Sequence, residues 1–275
     1  MSIEFTGPEG FRYKITTQGM YSDGVPFVKG DVNLIAENAD SLTVKADSLL
    51  EFMTAMFVVD AVNMKRHWAG KADITRIVLP YLPGARQDRI NDDGDILFTS
   101  LSIADTLLAH GFDEVVALDI HSAQSAGFVK GLRHYPIEKV AERMWHGYSG
   151  IIAPDHGAKN RAERVAQVMG LPVYYGEKKR DVSNGRLSGF AIDVPAGGHY
   201  LVVDDICDGG GTFVGLGEKI KECGAYADLF VSHGIFAKGT TALKKYYKNI
   251  YTTDSRDHAA PGVYTIRVVE DMENY

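Results

Sequence analysis

One stretch, YLVVDDICDGGGTF at residues 200–213, restricts the possible folds more than any other part of the chain. An apolar run ends in Asp204 and Asp205, a turn leads through Asp208 to Gly209, Gly210 and Gly211, and Thr212 is predicted to open a helix. Consecutive glycines let the backbone curl until several N–H groups face one anion, and a following helix N-terminus adds partial positive charge. Two carboxylates at the carboxyl end of a buried strand can meet ribose hydroxyls or a divalent ion, where open α/β sheets hold ligands. Two better-known phosphate loops are excluded, because the segment contains no Gly-Lys-Thr or Gly-Lys-Ser and lacks the G-x-G-x-x-G spacing. A plain glycine-rich turn with solvated acids is the bland alternative, and Asp-Asp followed by Asp-Gly-Gly-Gly-Thr is too specific for it.

The surrounding pattern supplies the fold class. Short β-rich stretches at 11–16, 26–34 and 41–45 are separated by turn compositions, Ser22-Asp23-Gly24 and Glu37-Asn38-Ala39-Asp40. Over 47–67 the period becomes helical: Ser48 and Glu51 form a capping box, and Leu49, Phe52, Met53, Met56 and Val59 fall on one stripe. Strands then alternate with helices: strand 74–82, helix 96–110, strand 114–119, helix 137–147, strand 151–155, helix 158–169 and strand 172–176. Strand 200–205, helix 212–222 and strand 227–233 follow. Such alternation predicts an α/β protein with largely parallel sheets flanked by helices. Residues 176–200 break the rhythm with charges and glycines and predict a long mobile hairpin or loop. Tyr246 and Tyr247, with their lysines, read as a helix face that snorkels.

A length of 275 residues suits two lobes, with a boundary predicted near 137, giving lobes 1–137 and 138–275. The net charge of −7 argues against a nucleic-acid or anionic-membrane partner, so any phosphate site has to be local. Two cysteines, Cys207 and Cys223, suggest neither a disulfide framework nor a zinc site. With an N-terminus unlike a signal peptide and no apolar run of membrane-spanning length, the expected location is the cytoplasm.

Further motifs lie at predicted strand ends. LPYLPGARQDR spans 79–89, ALDIHSAQSAGF spans 117–128, IAPDHG spans 152–157 and EKKRD spans 177–181. Together with VVDDICDGGGT, and in this order, they resemble the motifs of phosphoribosyl pyrophosphate (PRPP) synthetases, members of the phosphoribosyltransferase fold. The resemblance covers most of residues 74–240. It implies two phosphoribosyltransferase-like lobes, a nucleotide-binding side in the first and a ribose 5-phosphate side in the second, with a catalytic flexible loop near 177–199. It also implies a homo-oligomer.

By that resemblance, His121 and Asp155 are magnesium ligands with Asp119 close by, and Arg86, Gln87 and Asp23 (in YSDG) contact ATP. Lys178 and Arg180 fold over the transferring group, and His121 counts with them as catalytic. Asp204, Asp205, Asp208 and Gly209, Gly210, Gly211 and Thr212 hold ribose 5-phosphate. The implied activity is transfer of the β,γ-diphosphate of Mg-ATP to the C1 hydroxyl of ribose 5-phosphate, giving PRPP and AMP. Chemistry of this type asks the protein for in-line positioning and charge neutralisation more than for covalent help. Each residue has a blander reading: a lone histidine at a strand end is usually structural, Arg86, Asp88 and Arg89 could form a surface ion-pair cluster worth little, and EKKR alone is a solvated charge run.

Departures from the family pattern open alternatives. Val25 occupies the position of the family's adenine-contacting glutamate, and Gly209 stands where many relatives have threonine, which opens space near the 5-phosphate. A more tolerant pocket would take ADP-ribose as the acceptor and yield a pyrophosphorylated ADP-ribose useful in NAD salvage. A phosphoribosyltransferase would share the 200–213 motif and consume PRPP without producing AMP. A nonenzymatic regulatory paralogue would keep the fold and lose loop residues, whereas Lys178 and Arg180 are present.

Overall fold

A computed structural model describes residues 2–90, 98–144, 147–180, 187–257 and 260–275, without the side chains of 16–18, 178–180 and 187–188. The chain forms two compact units. The first comprises Met1–Tyr135, Ser255–Asp257 and Val269–Tyr275, and the second comprises Pro136–Asp254 and His258–Val268.

In the first unit β1 (Ser2–Thr6), β2 (Arg12–Met20) and β3 (Pro26–Lys29) precede α1 (Val32–Asn38), β4 (Ser41–Lys45) and α2 (Leu49–Trp68). There follow β5 (Arg76–Val78), α3 (Thr99–Ala109), β6 (Glu114–Leu118), α4 (Ala123–Phe128) and β7 (Leu132–Tyr135). The strands lie in the order β3-β2-β1-β4-β5-β6-β7. The β4, β5, β6 and β7 strands are parallel, while β1, β2 and β3 join antiparallel. The sheet is therefore mixed rather than parallel throughout. Its core includes Ile3, Phe5, Leu42, Val44, Phe52, Met56, Val59 and Ile77. Burying a side chain of this size contributes about 1.5–3 kcal/mol before entropy is counted.

The second unit opens with α5 (Ile137–Ala141) and continues through β8 (Gly150–Ala153), α6 (Lys159–Met169), β9 (Val173–Tyr175), β10 (Glu177–Arg180) and β11 (Leu187–Ala191). After these come β12 (His199–Cys207), α7 (Gly211–Glu222), β13 (Tyr226–Gly234), β14 (Tyr247–Thr253) and β15 (Tyr264–Ile266). Six strands in the order β15-β14-β13-β12-β8-β9 form a parallel sheet, and β10 pairs antiparallel with β11 as a separate hairpin. A last helix, α8 (Val269–Glu273), belongs to the first unit, where the Glu273 carboxylate accepts from Arg12 Nη2 at 2.7 Å. Among the described residues no helix is long and apolar enough to cross a membrane.

The α/β class holds, and several local expectations change. The strand expected over 26–34 stops at Lys29 because the Asp31 carboxylate accepts from Leu34 N and caps α1, which outweighs the β preference of the residues it begins with. The cap of α2 forms as expected on one side, Ser48 Oγ accepting from Glu51 N at 3.3 Å, but Glu51 Oε2 reaches back to Asp47 N at 2.6 Å. Leu49 is not on the buried stripe but 55% exposed, and α5 is shorter than the helix expected over 137–147. Tyr247 is not on a helix face. It lies buried on β14, its hydroxyl donating to Phe213 O at 2.7 Å, because parallel pairing with β13 claims the segment. The 176–200 segment contains the antiparallel pair β10 and β11, and residues 181–186 of the expected mobile loop lie outside the described residues.

Candidate functional site

Each unit gathers polar residues at the carboxyl edge of its own parallel strands. In the second unit β12 is buried up to Val203 and then presents Asp204, 15% exposed at its side chain, and the buried Asp205. Asp204 Oδ1 accepts from Asp205 N at 2.9 Å and from Arg161 Nη1 at 3.3 Å, while Arg161 Nη2 stands 3.7 Å from Asp205 Oδ2. Burial pushes the Asp204 carboxyl well above the usual range, repulsion from Asp205 pushes it further, and the Arg161 guanidinium pulls the other way. Arg161, itself buried, projects from α6 between the two carboxylates.

Beyond β12 the chain turns at Asp208 and Gly209, and Gly210 takes φ +76°, a left-handed conformation that suits glycine. Gly211 rather than Thr212 begins α7, and with no side chain capping it the first-turn amides lack intrahelical partners. Beneath it, burial with the nearby Asp204 and Asp208 charges pushes the Cys207 thiol up to about 12. At the end of the adjacent strand β8, Asp155 Oδ1 accepts from Gly157 N at 2.9 Å and Ala158 N at 3.3 Å, which orients its carboxylate.

In the first unit the chain after β5 carries Arg86 and Gln87, and that after β6 carries Asp119, His121 and Ser122. Arg86 and His121 are exposed, whereas Asp119 is buried with φ +37°, an unfavourable conformation for a residue with a Cβ. Gln87 Oε1 accepts from Thr99 Oγ1. The buried Asp88 accepts from Arg89 Nε at 2.8 Å and Ser122 Oγ at 2.6 Å. Hydrogen bonding from Arg89 holds this carboxyl below its usual range, with Ser122 and the charge of His121 adding to the effect. Ser125 Oγ donates to Ala85 O at 2.8 Å, so two contacts fasten the 85–89 segment to the start of α4. Asp88 is therefore a buried anchor rather than part of a loose surface cluster. Asp23 lies in the β2–β3 turn, its Oδ1 accepting from Val25 N at 3.2 Å, and β1 and β4 stand between its hairpin and β5.

The side chains of Lys178 and Arg180 lie outside the described residues; their backbones pair on β10 with Phe190 and Leu187. Arg161, Ser122 and the anchoring role of Asp88 were missed in the sequence. An arginine near a helix start carries no local sign that two carboxylates of another strand await it.

A magnesium ion accepts one or two carboxylates and takes its remaining ligands from water and substrate phosphate. The amide-oriented Asp155 carboxylate fits a hard cation delivered with phosphate oxygens, whereas Asp204 and Asp205 are already paired with Arg161. Among the described residues no three His, Cys, Asp or Glu side chains are grouped to hold an ion by themselves.

No family model matches the chain. Comparison with curated proteins finds 36% identity over 173 residues to the ribose-phosphate pyrophosphokinase of Pyrococcus abyssi, covering 60% of this chain and 59% of that protein. The Thermococcus kodakarensis protein of the same name is 30% identical over 232 residues, covering 80% of this chain and 77% of the relative. The match spans 59% and 60% of the lengths of the Pyrococcus abyssi and Pyrococcus furiosus proteins. Among solved structures, phosphoribosylpyrophosphate synthetase from Mycobacterium smegmatis superposes with a TM-score of 0.73 at 22% identity, covering 94% of this chain and 88% of that one, which establishes the fold. Taken with the strand-end carboxylates and the glycine bend, the match to the Thermococcus protein over most of both lengths means that the chain belongs to the ribose-phosphate pyrophosphokinase family.

Proposed function

We propose that this protein transfers the β,γ-diphosphate of Mg-ATP to the C1 hydroxyl of ribose 5-phosphate, forming PRPP and releasing AMP. The observation that carries the reading is the arrangement of Asp204, Asp205 and the Gly209–Gly210–Gly211 bend at one strand end in a chain of this family. In this reading the Asp204 and Asp205 carboxylates accept hydrogen bonds from the ribose 2- and 3-hydroxyls. Amides of Gly210, Gly211 and Thr212 donate to the 5-phosphate, with Asp208 beside them. Arg86 and Gln87 contact the nucleotide, and Asp23, with β1 and β4 between its hairpin and β5, is not assigned to that contact within this chain.

The C1 oxygen attacks the β-phosphorus in line, the bond to the α-phosphate oxygen breaks, and the hydroxyl proton leaves to solvent. Lys178 and Arg180 neutralise charge on the nonbridging oxygens, and closure of their hairpin excludes water, the competing acceptor. Asp155 is the side chain of the second unit proposed to hold magnesium, which when bound would withdraw charge from the phosphate oxygens. The hydroxyl at an anomeric carbon is more acidic than an ordinary alcohol, so a strong protein base is not required.

A second acceptor, ADP-ribose, is favoured by one observation: Gly209 is exposed and places no side chain over the bend. Pure protein is to be incubated with Mg-ATP and each acceptor separately, and the AMP-coupled product identified by mass spectrometry. Turnover of ADP-ribose without turnover of ribose 5-phosphate rejects the leading acceptor, and consumption of PRPP without AMP formation identifies a phosphoribosyltransferase. Replacing Lys178 by alanine is expected to lower AMP release by about 100-fold or more while the fold persists; undiminished release removes Lys178 from the transfer step.

A further inference from the structure

The segment following β13 is fastened to the glycine bend. Ile235 N and Phe236 N both donate to Cys207 O at 2.9 Å, and Ala237 N donates to Asp208 O at 3.1 Å. Phe236 adopts φ +48°, a left-handed conformation unfavourable for a bulky residue, and its ring lies over Gly234 so closely that a Cβ there would fall 2.1 Å from it. The turn closes through Gly239, with φ +68° and its N–H on Phe236 O at 2.7 Å. Backbone strain of this kind persists only where surrounding contacts over-determine it, and it concentrates at functional sites.

The turn presents Lys238 to the bend. Its side chain runs beside Gly209, with Cε, Cδ and Nζ at 3.6, 3.7 and 4.0 Å from the position a Cβ on Gly209 would take. A methyl would just fit there, whereas a larger side chain at 209 would press on the lysine stem. Lys238 is exposed, and among the described residues no hydrogen bond or ion pair engages its ammonium. A surface lysine with nothing to do would have no reason to be carried on a strained turn bonded to the 207–208 carbonyls.

We infer that Lys238 is a phosphate-binding residue of this site, its ammonium pairing with the terminal phosphate of the acceptor sugar while the bend amides hold the other oxygens. The inference rests on the proposed sugar-phosphate reading of the glycine bend. A point charge on a flexible stem suits a phosphate, whose three oxygens it can reach in several geometries. Beside an exposed glycine it can also follow a phosphate bearing a further substituent.

Isothermal titration calorimetry of the full chain with ribose 5-phosphate, in magnesium and without nucleotide, tests this. Lys238→Ala is expected to weaken binding about 10- to 100-fold, the loss of one charge-assisted hydrogen bond. Lys238→Arg restores binding to within a few-fold of wild type. Ribose lacking the phosphate is expected to bind wild type and Lys238→Ala equally weakly, which a merely structural role would not produce. If wild type binds ribose 5-phosphate and Lys238→Ala binds it equally well, Lys238 is a bystander and the site reading stands. If wild type binds neither ribose 5-phosphate nor ADP-ribose, the site reading falls and the inference goes with it.

Discussion

Arg161 Nη1 stands 3.3 Å from Asp204 Oδ1, and the same guanidinium reaches toward Asp205, so one buried cation serves two adjacent carboxylates. Removing one member of a buried ionic group leaves the others uncompensated, which costs about 3–5 kcal/mol. Arg161→Met, close in volume and without charge, is therefore expected to lower stability by about 3 kcal/mol. Urea unfolding at neutral pH checks this, and a midpoint equal to wild type would mean that solvent already compensates the pair.

Asp204 gives the opposite sign. Its folded-state carboxyl is shifted upward by burial and by Asp205, so the native state holds this proton more tightly than the unfolded chain. Stability from this group is greatest below the ordinary carboxylate value of about 4 and is lost as pH rises through the elevated folded value. Asp204→Asn keeps the shape and removes the charge. It is expected to raise Tm at pH 7, by an amount equivalent to about 1 kcal/mol, while weakening sugar binding. Melting curves from pH 4 to pH 8 should show wild type declining relative to the variant, and parallel curves would contradict the assigned cause.

Cys207 is fully buried under the glycine bend with its thiol pushed up to about 12, whereas Cys223 is half-buried. Thiolate is the reactive form, so native protein at neutral pH should take a thiol reagent at Cys223 and spare Cys207. Peptide mapping by mass spectrometry after a timed label distinguishes them, and denaturant should equalise the two. Equal labelling of the native chain would show that the bend opens on the timescale of the reagent.

The parts that were legible in the sequence are those determined by neighbours along the chain. Asp204 through Thr212 read as strand end, bend and helix start, with β12 running two residues further and α7 beginning one residue earlier than expected, because apolar run and glycines are local signals. Ser48 and Glu51 announced α2 for the same reason. By contrast, Val32 and Leu34 look like strand residues, and only the side chain of Asp31 reveals the helix. Ile3 and Phe5, buried on β1, alternate as a half-buried strand does, but the run is only five residues long and is a weak local signal. Arg161 was invisible for a deeper reason. Its partners are set by which strand lies next to β8, and the parallel pairing of β12 there is a long-range fact. Lys238 likewise gains meaning only from the bonds that bring its turn onto residues 207 and 208.

Ser122 does two things at once in the first unit. Its hydroxyl oxygen accepts from Ser125 N at 3.1 Å, capping α4, and its proton goes to Asp88 Oδ2 at 2.6 Å. Ser122→Ala should therefore cost about 1–2 kcal/mol, a lost cap together with a weakened bond to a buried carboxylate. Because Arg89, and then Ser122, hold the Asp88 carboxyl below its usual range, the stabilisation is present above about pH 4 and is lost as pH falls through the depressed folded value. The variant's deficit should accordingly be largest at neutral pH and shrink as the solution is acidified, whereas the cap contribution stays constant. Urea unfolding of wild type and Ser122→Ala at pH 7 and at successively lower pH separates the two contributions. A deficit that does not change with pH would leave the cap as the whole effect and Asp88 anchored by Arg89 alone.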